Sequence, residues 1–552
     1  MLRSLAVALS IFLLVGQAQQ GAADTNPPPG VPATVSADEL PTPQVDGLVR
    51  SVVIVGDTVY AAGKFKKARP FGVAPGGAGE VTRTHLLAFS RTTGQLLPFD
   101  HTITGTPYTS TRDPGKDCDS VGTDRWLCES VFRIEKSPDN SRIYIMGDFT
   151  QVDGQQRGRV AAFDVATGAL VGTFKPTFDQ RVRAITFGGS GVYFGGYFRS
   201  VIGSSGGTSY PRSRLAVLYA NGEVVTNWAP TADRGVFALA TSADHSRIVV
   251  GGDFDHLNGT AIHGLGAVSR INGSTVSWSS RPIQQGNGTT TPRSYVTDME
   301  MDGNIVYVVA HGSGGKPVFE GRLAADPMTG NLRWKDNCYG ATQGVTVHGG
   351  VVYSASHAHD CSDIGGWPQT NPGTYQRLLA ETTAVRPQND GKPLLLHWFP
   401  TVNAGPATGF LHGPWAVDAD GTYLVVGGEF TRVNGRAQQG LTRFAVASVA
   451  PNRSGPQPFT VTATRISSGT IRVVWNRTWD KDNTSLRYEL MRTTNGVEVK
   501  VMQWDRVSNF WTMPGMAHND SGLTPGHARR YRVIATDPRG NRISSPYVYA
   551  TS

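Results

Sequence analysis

Cysteine is scarce, four residues in 552, and no Cys-x-x-Cys pair occurs, which argues against a four-thiolate zinc site. Beyond the N-terminus no stretch approaches the ~18 consecutive apolar residues that a membrane helix needs, so no transmembrane segment is expected. Helical 3.6-residue periodicity is also missing, which excludes a bundle or helical repeat. His-Glu-x-x-His, a P-loop and Arg-Gly-Asp are absent, leaving zincin chemistry, P-loop nucleotide binding and integrin-type adhesion without support. Glycine, by contrast, is abundant at 66 residues, and it recurs between short β-type runs.

The recurring unit is Gly251-Gly252-Asp253-Phe254-Asp255-His256-Leu257-Asn258-Gly259. It returns as Gly427–Gly435, as Gly147–Gly154 and, more loosely, as Gly195–Phe198. Each copy follows a β-type run and precedes a Leu/Val-Ala-x-Phe type strand and a Thr-Gly or Asn-Gly turn. Seven copies align, with second strands ending near Phe65, Phe149, Phe198, Phe254, Gly312, Ala358 and Phe430. Their spacing exceeds the ~40–50 residues of compact blade repeats, so the surplus lies in loops. Four short strands per copy predict an all-β chain, a seven-bladed β-propeller over 39–450 and a C-terminal β-sandwich over 451–552. A parallel β-helix is the rival, but its rungs are shorter. The last blade has only three strands, and residues near Leu40 are expected to supply its outer one.

Turn lengths distinguish the two edges. Connections from first to second and from third to fourth strand are short, whereas the long insertions follow second strands or precede first ones. In an antiparallel blade those two connections share an edge, which is therefore the candidate functional face.

Met1-Leu2-Arg3, the apolar run Leu5 to Val15 and the small residues Ala18, Ala22 and Ala23 read as a secretory signal over 1–23, followed by a linker over 24–38. A secreted, extracellular protein, free or attached to the cell surface, is expected. Four cysteines in an exported chain suggest two disulfides, Cys118–Cys128 and Cys338–Cys361. The net charge of +8 is concentrated in residues 452–552, which hold 14 Lys/Arg against 7 Asp/Glu. That balance favours an anionic extracellular polysaccharide or cell-surface protein over nucleic acid, although solvated surface arginines account for it equally well.

Trp475 and Tyr531-Arg532-Val533-Ile534-Ala535, followed by Asp537-Pro538-Arg539-Gly540-Asn541, resemble a fibronectin type III domain. Gly427–Gly435 followed by Gly440-Leu441-Thr442-Arg443-Phe444 makes the repeat region resemble secreted bacterial propellers of the delta-60 repeat type. The second resemblance implies a fold and no settled chemistry, so function has to be argued from sites.

The position before the repeat Phe, or before Gly312 and Ala358 where these replace it, reads Lys64, Asp148, Tyr197, Asp253, His311, His357 and Glu429. If the blades are related by pseudo-symmetry, Asp253, His311, His357 and Glu429 are neighbours. His311, His357 and Glu429, supported by His359 and His412, are then candidate ligands for a divalent metal or candidate acid and base groups. The plainer alternative is that the acids bond backbone amides of the next loop and the histidines replace them. Arg50, Arg183, Thr297, Gln343 and Trp415 take matching places on first strands, and Trp367 and Trp415 are candidates for stacking on a sugar ring. The leading expectation is a secreted binding protein that recognises a glycan or protein through the looped face. Its competitor is a metal-assisted polysaccharide lyase or glycoside hydrolase centred on His311 and His357.

Overall fold

A computed structural model describes residues 27, 29–112, 114–286, 291–313, 318–386 and 389–552. The expected signal peptide lies outside these described residues. The chain is all-β, a series of small antiparallel sheets, and among the described residues the one helical element is the single 3-10 turn Ser362–Ile364. Among the described residues no helix is long and apolar enough to cross a membrane.

Seven sheets follow one another along the chain. Sheet 1 comprises Leu48–Val55, Thr58–Lys64 and Leu86–Ser90, and sheet 2 comprises Val131–Lys136, Arg142–Gly147 and Val160–Asp164. Sheet 3 is Val182–Gly188, Gly191–Gly196 and Leu215–Tyr219; sheet 4 is Val236–Thr241, Arg247–Gly252 and Leu265–Ser269. Sheets 5 and 6 have four strands each, beginning with Arg293–Asp302 and Gly344–His348, and sheet 7 is Pro414–Ala419, Tyr423–Gly428 and Leu441–Ala445. In sheets 1 to 4 the fourth position shrinks to one bridge, such as Phe89 to Leu96. In sheet 7 it is filled from the other end of the chain, where Leu40 bridges Arg443 and its N–H donates to the Arg443 carbonyl at 2.8 Å.

The sheets are joined through side chains. Each of seven hydrophobic clusters draws on two successive sheets, and the cluster of Ala416, Val425 and Leu441 with Val49 and Val52 joins sheet 7 back to sheet 1. First strands touch in the same cyclic order. The repeated Gly-Gly follows from this packing. A Cβ on the second glycine would meet the carbonyl oxygen at the start of the sheet's own first strand, at 2.1 Å for Gly252 and 2.2 Å for Gly428. A Cβ on the first would meet the next sheet's first strand, at 2.5 Å from Val296 for Gly251 and 2.5 Å from Val49 for Gly427. Both contacts are tighter than any methyl tolerates. Gly252→Ala is therefore expected to destabilise by about 1–3 kcal/mol through overpacking, read as a lowered urea midpoint at unchanged slope.

The long insertions share one edge, as the turn lengths imply. The segment preceding a first strand pairs with the insertion after the second strand of the same sheet: Gln44–Val45 with Lys67–Arg69, Ile103–Thr104 with Gln151–Val152, and Thr177–Phe178 with Ser200–Ile202. Single bridges do the same at Tyr339 to Asp360 and Val402 to Val433. The disulfides Cys118–Cys128 and Cys338–Cys361 both form, the first across the hairpin Cys118–Gly122 and Arg125–Cys128.

The C-terminal residues form a three-stranded and a five-stranded antiparallel sheet. Alternation along Ile471, Val473 and Trp475 buries these three and exposes Arg472 and Val474. The buried side chains join Tyr488, Leu490, Tyr531 and Val533 in a core of their own. This unit is bound to the rest: Asp482 accepts from the Ser36 hydroxyl and the Ala37 N–H, both at 2.8 Å, and the Phe399 N–H donates to the Lys481 carbonyl.

Candidate functional site

Six of the seven first strands carry a β-bulge near their start, at Arg50, Phe132, Arg183, Phe237, Thr297 and Trp415. An extra residue in one strand turns its side chain away from the ladder. Here the six bulge residues, with Gln343 of sheet 6, line one cavity of about 440 Å³ walled by the first strands of all seven sheets. Phe132 and Phe237 were not singled out from the sequence. The usable signal is positional, because each directly follows a valine of its first strand, as Arg50, Arg183 and Thr297 do.

An arginine-aromatic layer occupies one end of this cavity. Arg50 lies 4.7 Å from the Phe132 ring and 4.9 Å from Trp415, and Arg181 lies 4.1 Å from Phe132. Asp117, from the long insertion beside Cys118, pairs with Arg50 and, at 3.0 Å, with Arg181; Arg181 also bonds Asp148 at 2.9 Å. Burial alone would raise the Asp117 carboxyl, but Arg50, Arg181 and Arg183 outweigh it and hold it below the usual range. Arg183 sits between Phe132 at 5.3 Å and Phe237 at 4.5 Å.

The histidines gather on the sheet 5 to sheet 7 side of this layer. His357 and His412 stack with ring centres 4.6 Å apart, and their Nδ1 atoms are 2.5 Å apart, so one donates to the other. Gln343 Nε2 lies 3.3 Å from His412 Nε2 and 3.4 Å from His311 Nδ1, while His311 stacks on Tyr295. Burial pushes His311 and His357 down to about 4, and burial together with His357 and His311 pushes His412 down to about 2. All three are neutral at physiological pH.

Glu429 does not complete a ligand set with them. Its carboxylate accepts from Thr408 N at 2.7 Å, Thr408 Oγ1 at 2.8 Å, His412 N at 3.2 Å and Trp415 Nε1 at 3.3 Å. Both oxygens are thus used in holding the preceding loop, the plainer role considered above. Nor do the imidazoles make a polyhedron as they stand. Two nitrogens on one zinc lie about 3.4 Å apart, given bonds near 2.0–2.1 Å and tetrahedral angles, whereas the Nδ1 pair is at proton-sharing distance. The sets of three or more close His, Cys, Asp or Glu ligand atoms found among the described residues lie elsewhere and include disulfide-bonded cysteines.

The other candidates disperse. His359 bonds Gln369 Oε1 at 2.5 Å and packs on Tyr375. Asp253 pairs with Arg234 at 3.4 Å, and burial raises its carboxyl despite Arg234 and Arg293. Trp415 belongs to the channel layer. Trp367 has no free face: it is 1% exposed and packs against Phe399, Phe510 and Trp511, the last two from the C-terminal unit. The sequence around Gly365-Gly366-Trp367 could not reveal that cover, because it comes from a segment more than 140 residues away.

On the looped edge itself a hollow of about 700 Å³ is lined by Tyr108, Arg112, Asp148, Arg159, Arg181 and Tyr197 and walled by the Cys118–Cys128 disulfide. Tyr108 is exposed there. No protein-family model matches the chain, and no curated protein matches it at a significant level.

Proposed function

We propose that this chain is a secreted binding protein whose seven sheets are the blades of a propeller and whose looped face recognises an extracellular glycan or a cell-surface protein. The C-terminal unit, read as a fibronectin type III-like sandwich, serves as spacer or anchor. Supporting the ring is the cyclic packing of first strands, with Val49 against Gly427 at its closure. Supporting export are the two disulfides, a bond that persists in oxidising compartments. The observation that carries the binding reading is the hollow at Tyr108 and Tyr197. Aromatic faces beside arginines and a carboxylate, held by a rigid disulfide hairpin, match the polar-aromatic lining that sugars require.

A glycan array probed with the full chain is expected to give discrete hits, and Tyr108→Ala to weaken them by about tenfold, the loss of one stacking contact. An array without hits, or hits indifferent to Tyr108→Ala, removes the glycan and leaves a cell-surface protein as the partner. The metal-assisted lyase or hydrolase keeps one supporting observation, the approach of His311, His357 and His412. Stoichiometric metal in the purified protein, together with polysaccharide cleavage that is lost in a His311→Ala/His357→Ala double variant, would establish it instead.

A further inference from the structure

We propose that the cavity between the seven first strands is a second binding site, for a small sugar acid with a single carboxylate, held by Arg183 and entered from the edge that carries the short turns. The inference is independent of the looped-edge hollow. The cavity wall includes Pro138, Ala243 and His245 from first-to-second-strand turns and no residue of the long insertions. Its opposite end is crossed by Asp117 with Arg50 and Arg181.

Arg183 is the unfilled group. Its neighbours Arg50 and Arg181 have carboxylate partners, but among the described residues Arg183 has no ion pair and no hydrogen-bond acceptor. Phe132 and Phe237 flank the guanidinium, so its N–H edge is the direction left for a partner. The guanidinium nitrogens open onto the cavity, and a carboxylate meets such a five-donor fork in bidentate fashion.

The rest of the wall narrows the ligand class. Further along the cavity Glu135 and Asp298 are paired with Arg133, Lys136 stands beside them, and burial raises the carboxyls of Glu300 and Asp418, so hydroxyl groups find both acceptors and donors there. The Gln343 side-chain oxygen, without a partner among the described residues, is one more acceptor beside the aromatic faces of Phe237 and Trp415. A volume of about 440 Å³ falls within the ~300–1,000 Å³ of small-ligand sites and suits one or two sugar rings.

The test titrates the full-length protein with sodium D-glucuronate by calorimetry, with D-glucose and inorganic phosphate run in parallel. Glucuronate is expected to bind at least about tenfold more tightly than either control, with Arg183→Gln losing about tenfold or more and Arg183→Lys falling between. Circular dichroism establishes that each variant is folded. Should Arg183→Gln not fold, Gln343→Ala gives the second reading, with an expected loss of about threefold or more as one hydrogen bond goes. No glucuronate heat from wild type at about 10 mM, equal binding of phosphate, or a folded Arg183→Gln variant with unchanged affinity would overturn the proposal.

Discussion

Arg322→Met is expected to cost about 3–5 kcal/mol of folding stability, among the largest effects of any single substitution in this chain. Arg322 lies on the third strand of sheet 5, Gly321–Ala325, and is 1% exposed. It pairs with Asp336 at 2.9 Å and, more closely, with Glu381 on the facing strand Gln376–Arg386 of sheet 6. Both acids are as deeply buried as the arginine. Burial and Glu381 push the Asp336 carboxyl well up even with Arg322 beside it, so the guanidinium is the charge that makes this arrangement tolerable. Taking it away leaves two carboxyl groups in an apolar seam next to the Cys338–Cys361 disulfide, where the Cys338 N–H donates to Asp336 Oδ1. Urea denaturation measures the loss. The triple variant Arg322→Met/Asp336→Asn/Glu381→Gln should recover most of it, because neutral amides carry no unpaired buried charge. A single variant within about 0.5 kcal/mol of wild type would show that the ion pairs are not formed in the folded protein.

Acidification supplies the second large effect. His311, His357 and His412 are neutral in the folded chain, with pKa values of about 4, 4 and 2, against the ordinary value of about 6.5 when unfolded. A base whose folded pKa is depressed binds fewer protons folded than unfolded, so stability is full above about pH 6.5 and falls as pH drops toward the folded values. Between about pH 7.5 and 5.5 the expected loss is on the order of 1 kcal/mol per histidine, or about 3–4 kcal/mol for the three. Arg377 packs near His357 and His412 and opposes protonation further, whereas Glu429 is committed to its loop. Asp418, pushed up to about 7 by burial, and Glu300, raised well above the usual range, act in the opposite direction. The informative quantity is therefore the difference in pH slope between wild type and a His311→Asn/His357→Gln/His412→Asn variant. Equal slopes would mean that the imidazoles are already solvated and free to protonate in the folded state.

Much of this architecture is legible along the chain. Period-two alternation at Ile471, Val473 and Trp475, the recurring Gly-Gly and the turn lengths are local properties, set by the pleat and by backbone approach distances. They identify the strands, the edge carrying the insertions, the strand supplied by Leu40 and both cysteine pairs without any distant contact being known. Function is legible less far. Of the pseudo-symmetric positions, His311 and His357 come together around Gln343 and His412, whereas Asp253 pairs with Arg234 and Glu429 holds its loop, because symmetry places backbones and does not choose partners.

The sequence by itself determined an all-β chain of repeated antiparallel units with two disulfides, because hydrophobic period, glycine placement and turn chemistry act over a few residues. Only the tertiary structure decided that Glu429 binds the 408–415 loop rather than an imidazole, that Trp367 is covered by Phe510 and Trp511, and that Arg183 faces a cavity unpaired while Arg50 and Arg181 are neutralised by Asp117. Each of these outcomes depends on one extra residue in a bulge or on a loop arriving from far along the chain. A contact of that kind is set by the packing of whole sheets against one another, which no local pattern encodes.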